Sequence, residues 1–302
     1  RRLQDVDTPD IALRPYFIGD KSASRSFAPV VVTDPNRVEM DDLDRFRVES
    51  AFAMNWANNI ARWRRQTRFT RRRQRGERLP VLVAEGDSWF QFPFLLQDII
   101  DQFDSIYNVW CVSAAGDTLQ NMVNSAPEYI DAIAQQQERP KVFLFSGAGN
   151  DLVGSDPDGT SIVYRVVRDF EPGRPPAWYL QTDAFAERLA FVEKAYRTLL
   201  QNVEREFGRE VQSVAHGYDY ALPASPDDPR RPVWADKDQW LGAPLRRRGI
   251  IDPALQRAIV RLMIDQLNAL QKRLCGGNNA GGAFSTAFHV DLRGTLPNIA
   301  NW

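Results

Sequence analysis

From Leu79 to Leu292 short apolar runs alternate with longer stretches of helical period. Val81-Leu82-Val83-Ala84 is continuous and β-branched, as a parallel strand covered on both faces requires. Similar runs predict strands at 79–86, 107–113, 141–146, 210–215 and 287–292, with helices at 93–103, in segments within 118–137, at 184–207 and from 253 onward. The helix at 184–207 is the best marked: Phe185, Leu189, Val192, Tyr196, Leu199, Val203 and Phe207 share one face, Asp183 is the expected cap and Gly208 the stop. Asp252-Pro253 opens the last helix with a cap and a first-turn proline, Leu255, Ile259, Leu262, Leu267, Leu270 and Leu274 line it, and Gly276 is expected to end it. Strands that alternate with helices predict an α/β fold around a parallel sheet.

Outside this alternation the pattern changes. Residues 1–37 show no sustained period and are expected to form an extended arm. Leu43, Phe46, Phe52, Trp56, Ile60 and Trp63 recur at helical spacing and predict an amphipathic helix over 41–66. The expected division is therefore 1–78, an arm and an arginine-rich helix, and 79–302, the α/β domain. Residues 152–182, rich in Gly and Pro with Trp178 and Tyr179, interrupt the domain after its third strand and are expected to wall a pocket. Residues 222–249, with Trp234 and Trp240, form a second expected rim element, too long for a plain connection.

Composition narrows the classes. The chain has 302 residues and a net charge of −1, so no global field favours nucleic acid or membrane. Locally the balance is different: Arg62, Arg64, Arg65, Arg68, Arg71, Arg72, Arg73, Arg75 and Arg78 face a single acid, Glu77. Such a cluster reads either as a solvated helix end, where cations are favoured, or as a surface for an anionic or protein partner. Cys111 and Cys275 are the only cysteines, which argues against a disulfide scaffold and for a reducing, cytoplasmic compartment. Because the sequence starts at Arg1, secretion stays open. No apolar run reaches the ~18 residues of a spanning helix, and neither a cofactor motif nor a metal-ligand spacing is present.

The candidate chemistry sits where strands end. Gly86-Asp87-Ser88-Trp89 follows the first strand and presents Ser88 at the carboxyl edge, where open α/β sheets place ligands. Val112-Ser113-Ala114-Ala115-Gly116-Asp117-Thr118 follows the second and Ser146-Gly147-Ala148-Gly149-Asn150-Asp151 the third. In this order the three stretches resemble the first three blocks of the SGNH, or GDSL, serine hydrolases. The resemblance covers about 79–302 and implies a five-stranded parallel sheet in the flavodoxin-like order 2-1-3-4-5, helices on both faces, and hydrolysis of a carboxylic ester. It also implies that Ser88 is the nucleophile, and that the amides of Ser88 and Gly116 with the Asn150 side chain form the oxyanion hole.

Two departures stand out. Relatives carry glycine where this chain has Ala148, whose methyl is either tolerated or crowds the substrate. The family's Asp-x-x-His after the last strand has no counterpart. The simplest expectation is that a C-terminal segment bearing those two residues is missing from the sequence, leaving a poor hydrolase. His216, at the end of the fourth strand, is a weak substitute, and His289, inside the fifth, is expected to be a packed or surface residue. The ester that the resemblance implies is one such as an acyl lipid, a lysophospholipid or an acetylated sugar; Trp89, Phe90, Phe92 and Phe94 read equally as an apolar acyl pocket or as ordinary core, so the substrate class stays open. The alternative is a silent scaffold of the same fold whose arginine-rich helix docks a protein or nucleic acid.

Overall fold

The computed structural model describes residues 3–25, 28–38, 53–223 and 240–296. The predicted helix positions Leu43, Phe46 and Phe52 lie outside them, as do Phe27, Trp234 and residues 297–302. The chain divides into two compact units, Arg1–Asp117 with Pro127–Ser146, and Thr118–Ala126 with Gly147–Trp302.

The first unit begins with an antiparallel hairpin, β1 (Phe17–Arg25) and β2 (Ala28–Thr33). This corrects the expected extended arm. Val30-Val31-Val32 is a β-branched run suited to a strand, and Val6, Leu13, Phe17 and Val31 are buried. The arm is tied down by Arg64, which is fully buried and donates to Asp10 (2.9 Å), Thr8 O (2.6 Å), Asp5 O (3.0 Å) and Leu3 O.

Arg64 belongs to the helix Ala53–Gln74, which runs past the predicted end at 66. Its buried face is also not the predicted one. Ala57, Asn58, Ala61, Arg64, Arg65 and Phe69 are buried, whereas Trp63 is 45% exposed. Small alanines let the helix lie close to its neighbours, and arginine, a good helix former, carries the helix onward while its stem packs.

The main sheet has five strands in the order 2-1-3-4-5 by their sequence in the chain, as the resemblance implies. β3 is Val81–Gly86, β4 Asn108–Cys111, β5 Val142–Ser146, β6 Gln212–His216 and β7 Ala287–Val290. β3 pairs in parallel with β4 and β5, and β6 with β7. All six residues of β3 are buried, which explains its unbroken apolar start.

In the second unit the helix Asp183–Phe207 is capped by Thr182, whose hydroxyl accepts from Phe185 N at 3.0 Å. Asp183 takes the first-turn position instead, where its charge suits the helix N-terminus. The helix Pro253–Leu274 is capped by Asp252 as expected, and its C-cap is Cys275, directly before Gly276. The insertion after β5 has internal structure: the helix Ile162–Val166 and the 3-10 turn Pro176–Leu180 bury Val163 and Tyr179. Its open face holds a concavity of about 500 Å³ lined by Arg165, Arg168, Phe170, Trp178 and Arg248. Among the described residues no helix is long and apolar enough to cross a membrane.

Candidate active site

The Ser88 loop is built from the end of β3. Gly86 must be glycine because a Cβ there would lie 2.7 Å from Ser146 Cβ, 2.8 Å from Ser146 O and 2.9 Å from the Phe90 ring. Asp87 then anchors the turn. Its amide donates to Ser146 O (3.1 Å), and its carboxylate accepts from Ser146 Oγ (2.8 Å) and Trp89 N (3.1 Å). The Asp87 carbonyl accepts from Phe90 N (3.0 Å) and Gln91 N (3.1 Å), closing a helical turn that contains Ser88. Asp87 is 2% exposed, while Ser88 is half-buried. Phe90, Phe92 and Phe94 are buried, so they are core and not the walls of an open acyl pocket; Trp89 alone of the four stays half-exposed.

Behind this loop stands Glu85, 1% exposed, with Gly86 N donating to it at 2.9 Å. Burial raises its pKa well above the ordinary value, and the nearby Asp117 and Glu128 carboxylates add to the rise against the pull of Arg62.

The Gly116 loop leaves β4 beside it. Ala114 N donates to Gly86 O (2.9 Å), and Asp117 N closes a turn onto Ala114 O (3.1 Å). Gly116 has φ 84°, the third position of a type II turn, which explains the glycine. Two residues that sequence reasoning missed hold these loops: Asn58, bonded to both sides of Ala115, and Gln91, bonded to Asn58. Both are polar and buried, a signal visible only after folding.

The arginine-rich helix serves the same two loops. Arg65 donates to Phe90 O (2.6 Å), Asp98 (2.6 Å) and Asp101 (2.8 Å), and Arg62 donates to Val112 O and to Glu128 (2.8 Å). The remaining pairs are Arg68 with Asp10 and Asp104, Arg71 and Arg75 with Asp7, Arg72 with Asp104 and Glu77, and Arg73 with Glu138. The run is therefore largely engaged by the chain's own carboxylates.

The Asn150 loop belongs to the second unit. Gly147 O accepts from Tyr196 Oη (2.8 Å), and Gly149 N donates to Tyr218 Oη (3.0 Å). Between them Ala148 holds φ 91° and is 1% exposed, so its methyl is packed and not on an open surface. The glycine that the resemblance implies at this position has a plain reason in that left-handed backbone, and alanine here is strained. Asn150 and Asp151 lie in the short helix Gly149–Val153, both mostly buried, and the Asp151 carboxylate accepts from Leu119 N at 3.0 and 3.2 Å.

The histidines are both inside the second unit. His216, at the end of β6, is 6% exposed, sits 2.7 Å from Gly217 O through Nδ1, and meets the Tyr218 ring edge-on. His289 is packed in β7, and burial lowers its pKa to about 4. Asp219 follows β6 and pins the turn after β7, accepting from Tyr220 N (2.7 Å), Gly294 N (2.7 Å) and Leu296 N (2.6 Å). Desolvation pushes its pKa up, but these donors outweigh it and the net shift is downward.

No family model matches the sequence, and no curated protein does. Among solved structures the chain is similar to the extracellular lipase of Streptomyces rimosus, at 13% identity over 72% of this chain and 82% of that one, TM-score 0.41. It is similar also to phospholipase A1 of Streptomyces albidoflavus NA297, at 12% identity over 74% and 84%, TM-score 0.40, and to AlinE4, an SGNH-hydrolase family esterase, at 15% identity over 57% and 73%, TM-score 0.27. By its own strand order the chain has the doubly wound α/β fold expected of an SGNH/GDSL-type hydrolase.

Proposed function

We propose that the protein is a serine hydrolase that cleaves a carboxylic ester through an acyl-enzyme on Ser88. The observation that carries this reading is the Ser88 turn: Asp87 is locked by Ser146, and the serine stands half-exposed at the carboxyl end of β3. Ser88 Oγ attacks the ester carbonyl. The amides of Ser88 and Gly116 and the Asn150 carboxamide are the donors the resemblance assigns to the developing oxyanion, each worth ~10²-fold or more in turnover. Acyl lipids, lysophospholipids and acetylated sugars remain the substrate classes, with the half-buried Trp89 the apolar side chain next to the nucleophile in sequence. The resemblance places the base, an Asp-x-x-His pair, beyond β7. His216 is the substitute within the described residues, although its burial and its Gly217 contact favour a structural role.

A fluorophosphonate probe followed by peptide mass spectrometry tests the assignment. The expected result is an adduct on Ser88 that disappears in Ser88→Ala; an intact fold with no adduct overturns it. The alternative, a scaffold that docks an anionic or protein partner through Arg62–Arg78, has less support, because most of those guanidinium groups already face carboxylates of this chain.

A further inference from the structure

We infer that Asn58, in the helix before β3 and outside the region of family resemblance, is a positioning residue that aims the Gly116 amide. The inference rests on the hydrolase reading above. Asn58 is 5% exposed, and its carboxamide brackets Ala115: Oδ1 accepts from Ala115 N at 2.9 Å and Nδ2 donates to Ala115 O at 3.1 Å. Ala115 O and the Gly116 N–H belong to one planar trans peptide, so they point in opposite directions. Whatever holds that carbonyl therefore sets where the Gly116 N–H points.

The turn makes such a hold necessary. Type I and type II turns differ mainly by a flip of the central peptide, here Ala115–Gly116, and a glycine in the third position accepts either. Gly116 by itself permits the type II form without selecting it. Selection comes from Asn58 Nδ2, which bonds the carbonyl only in the observed orientation. Gln91, fully buried, fixes the Asn58 carboxamide in turn: its Nε2 donates to Asn58 Oδ1 (3.2 Å) and to Asn58 O (3.1 Å), leaving Nδ2 toward Ala115 O. The Gln91 amide also donates to Asp87 O (3.1 Å) in the Ser88 turn, so one buried network registers the nucleophile loop against the oxyanion loop.

The test uses p-nitrophenyl butyrate turnover by the whole protein. Asn58→Ala frees the peptide to flip, and Asn58→Asp keeps the shape while replacing the donor by an oxygen that repels Ala115 O. Both are expected to lower kcat about 10- to 100-fold with KM within about twofold, the range for weakening one oxyanion donor. Ala61→Gly, which removes a buried methyl from the same helix and no side-chain hydrogen bond, is the control and should keep its kcat. The Gly116 amide resonance gives a readout independent of activity and should move in both Asn58 variants.

A kcat equal to the control's, or a rise in KM with kcat unchanged, overturns the inference. Should Asn58→Ala fail to fold, Gln91→Ala decides by the same ratio: a several-fold fall in kcat supports the role and an unchanged kcat removes it. A wild-type protein that neither turns over the ester nor takes a fluorophosphonate on Ser88 overturns the hydrolase reading, a result distinct from a failure of Asn58 alone.

Discussion

The Ser88 loop and the Asn150 loop each carry a polar residue past the end of a strand, but they are held by different means. The first is held from beneath. Gly86 lies against Ser146, Asp87 bonds the same residue twice, and the conformation follows from close contact without any positive φ at these positions. The second is held from the side, by the Tyr196 and Tyr218 hydroxyls on either side of an alanine in a left-handed conformation. A tightly packed glycine and a strained alanine thus give comparable results, and a glycine-type position in a motif can reflect either contact or dihedral angle.

Substitutions at the two loops can separate these causes. The largest effect is expected for Gly86→Ala: its methyl would sit under 3 Å from Ser146 main chain and side chain, and denaturant unfolding should show a loss of about 3 kcal/mol. A loss below about 1 kcal/mol would mean that the contact is easily relieved and the contrast is weaker than drawn.

Glu85→Gln comes next and depends on pH. Burial, then Asp117 and Glu128, raise the Glu85 pKa above its ordinary 4.5, so the folded protein retains a proton that the unfolded chain releases. Stability is therefore full below about 4 and falls as pH rises from the unfolded toward the folded pKa. Glutamine keeps the acceptor for Gly86 N and does not titrate. The variant should melt higher than wild type at pH 8 and alike at pH 4; equal melting at both would show that Glu85 is not held protonated.

The smallest change is expected for Ala148→Gly, which removes the left-handed strain at the cost of one buried methyl and should stabilise the protein by about 0.5–1 kcal/mol. The same change at Ala115, beside the Asn58 clamp, has no such strain to relieve. A destabilised Ala148→Gly would assign the position to packing instead of to dihedral strain.

Much of the fold was legible because it depends on local pattern. The apolar run at Val81–Ala84, the face of 184–207 and the Asp252-Pro253 start all imposed their elements at once, and right-handed strand–helix–strand units left few orders to choose from. Helix 53–74 read differently. Spacing put Trp63 inside and the arginines outside, whereas the folded chain buries Arg64 and Arg65, because carboxylates and carbonyls from segments 25 to 61 residues away meet them.

The sequence alone determined that strands and helices alternate, that Ser88, Gly116 and Asn150 follow successive strands, and that Gly116 can adopt a positive φ. Only the tertiary structure decided that Asn58, Gln91, Tyr196 and Tyr218 are the residues that hold those loops. A buried hydrogen bond between positions far apart leaves no periodicity in the chain; it exists only when folding brings donor and acceptor together away from water.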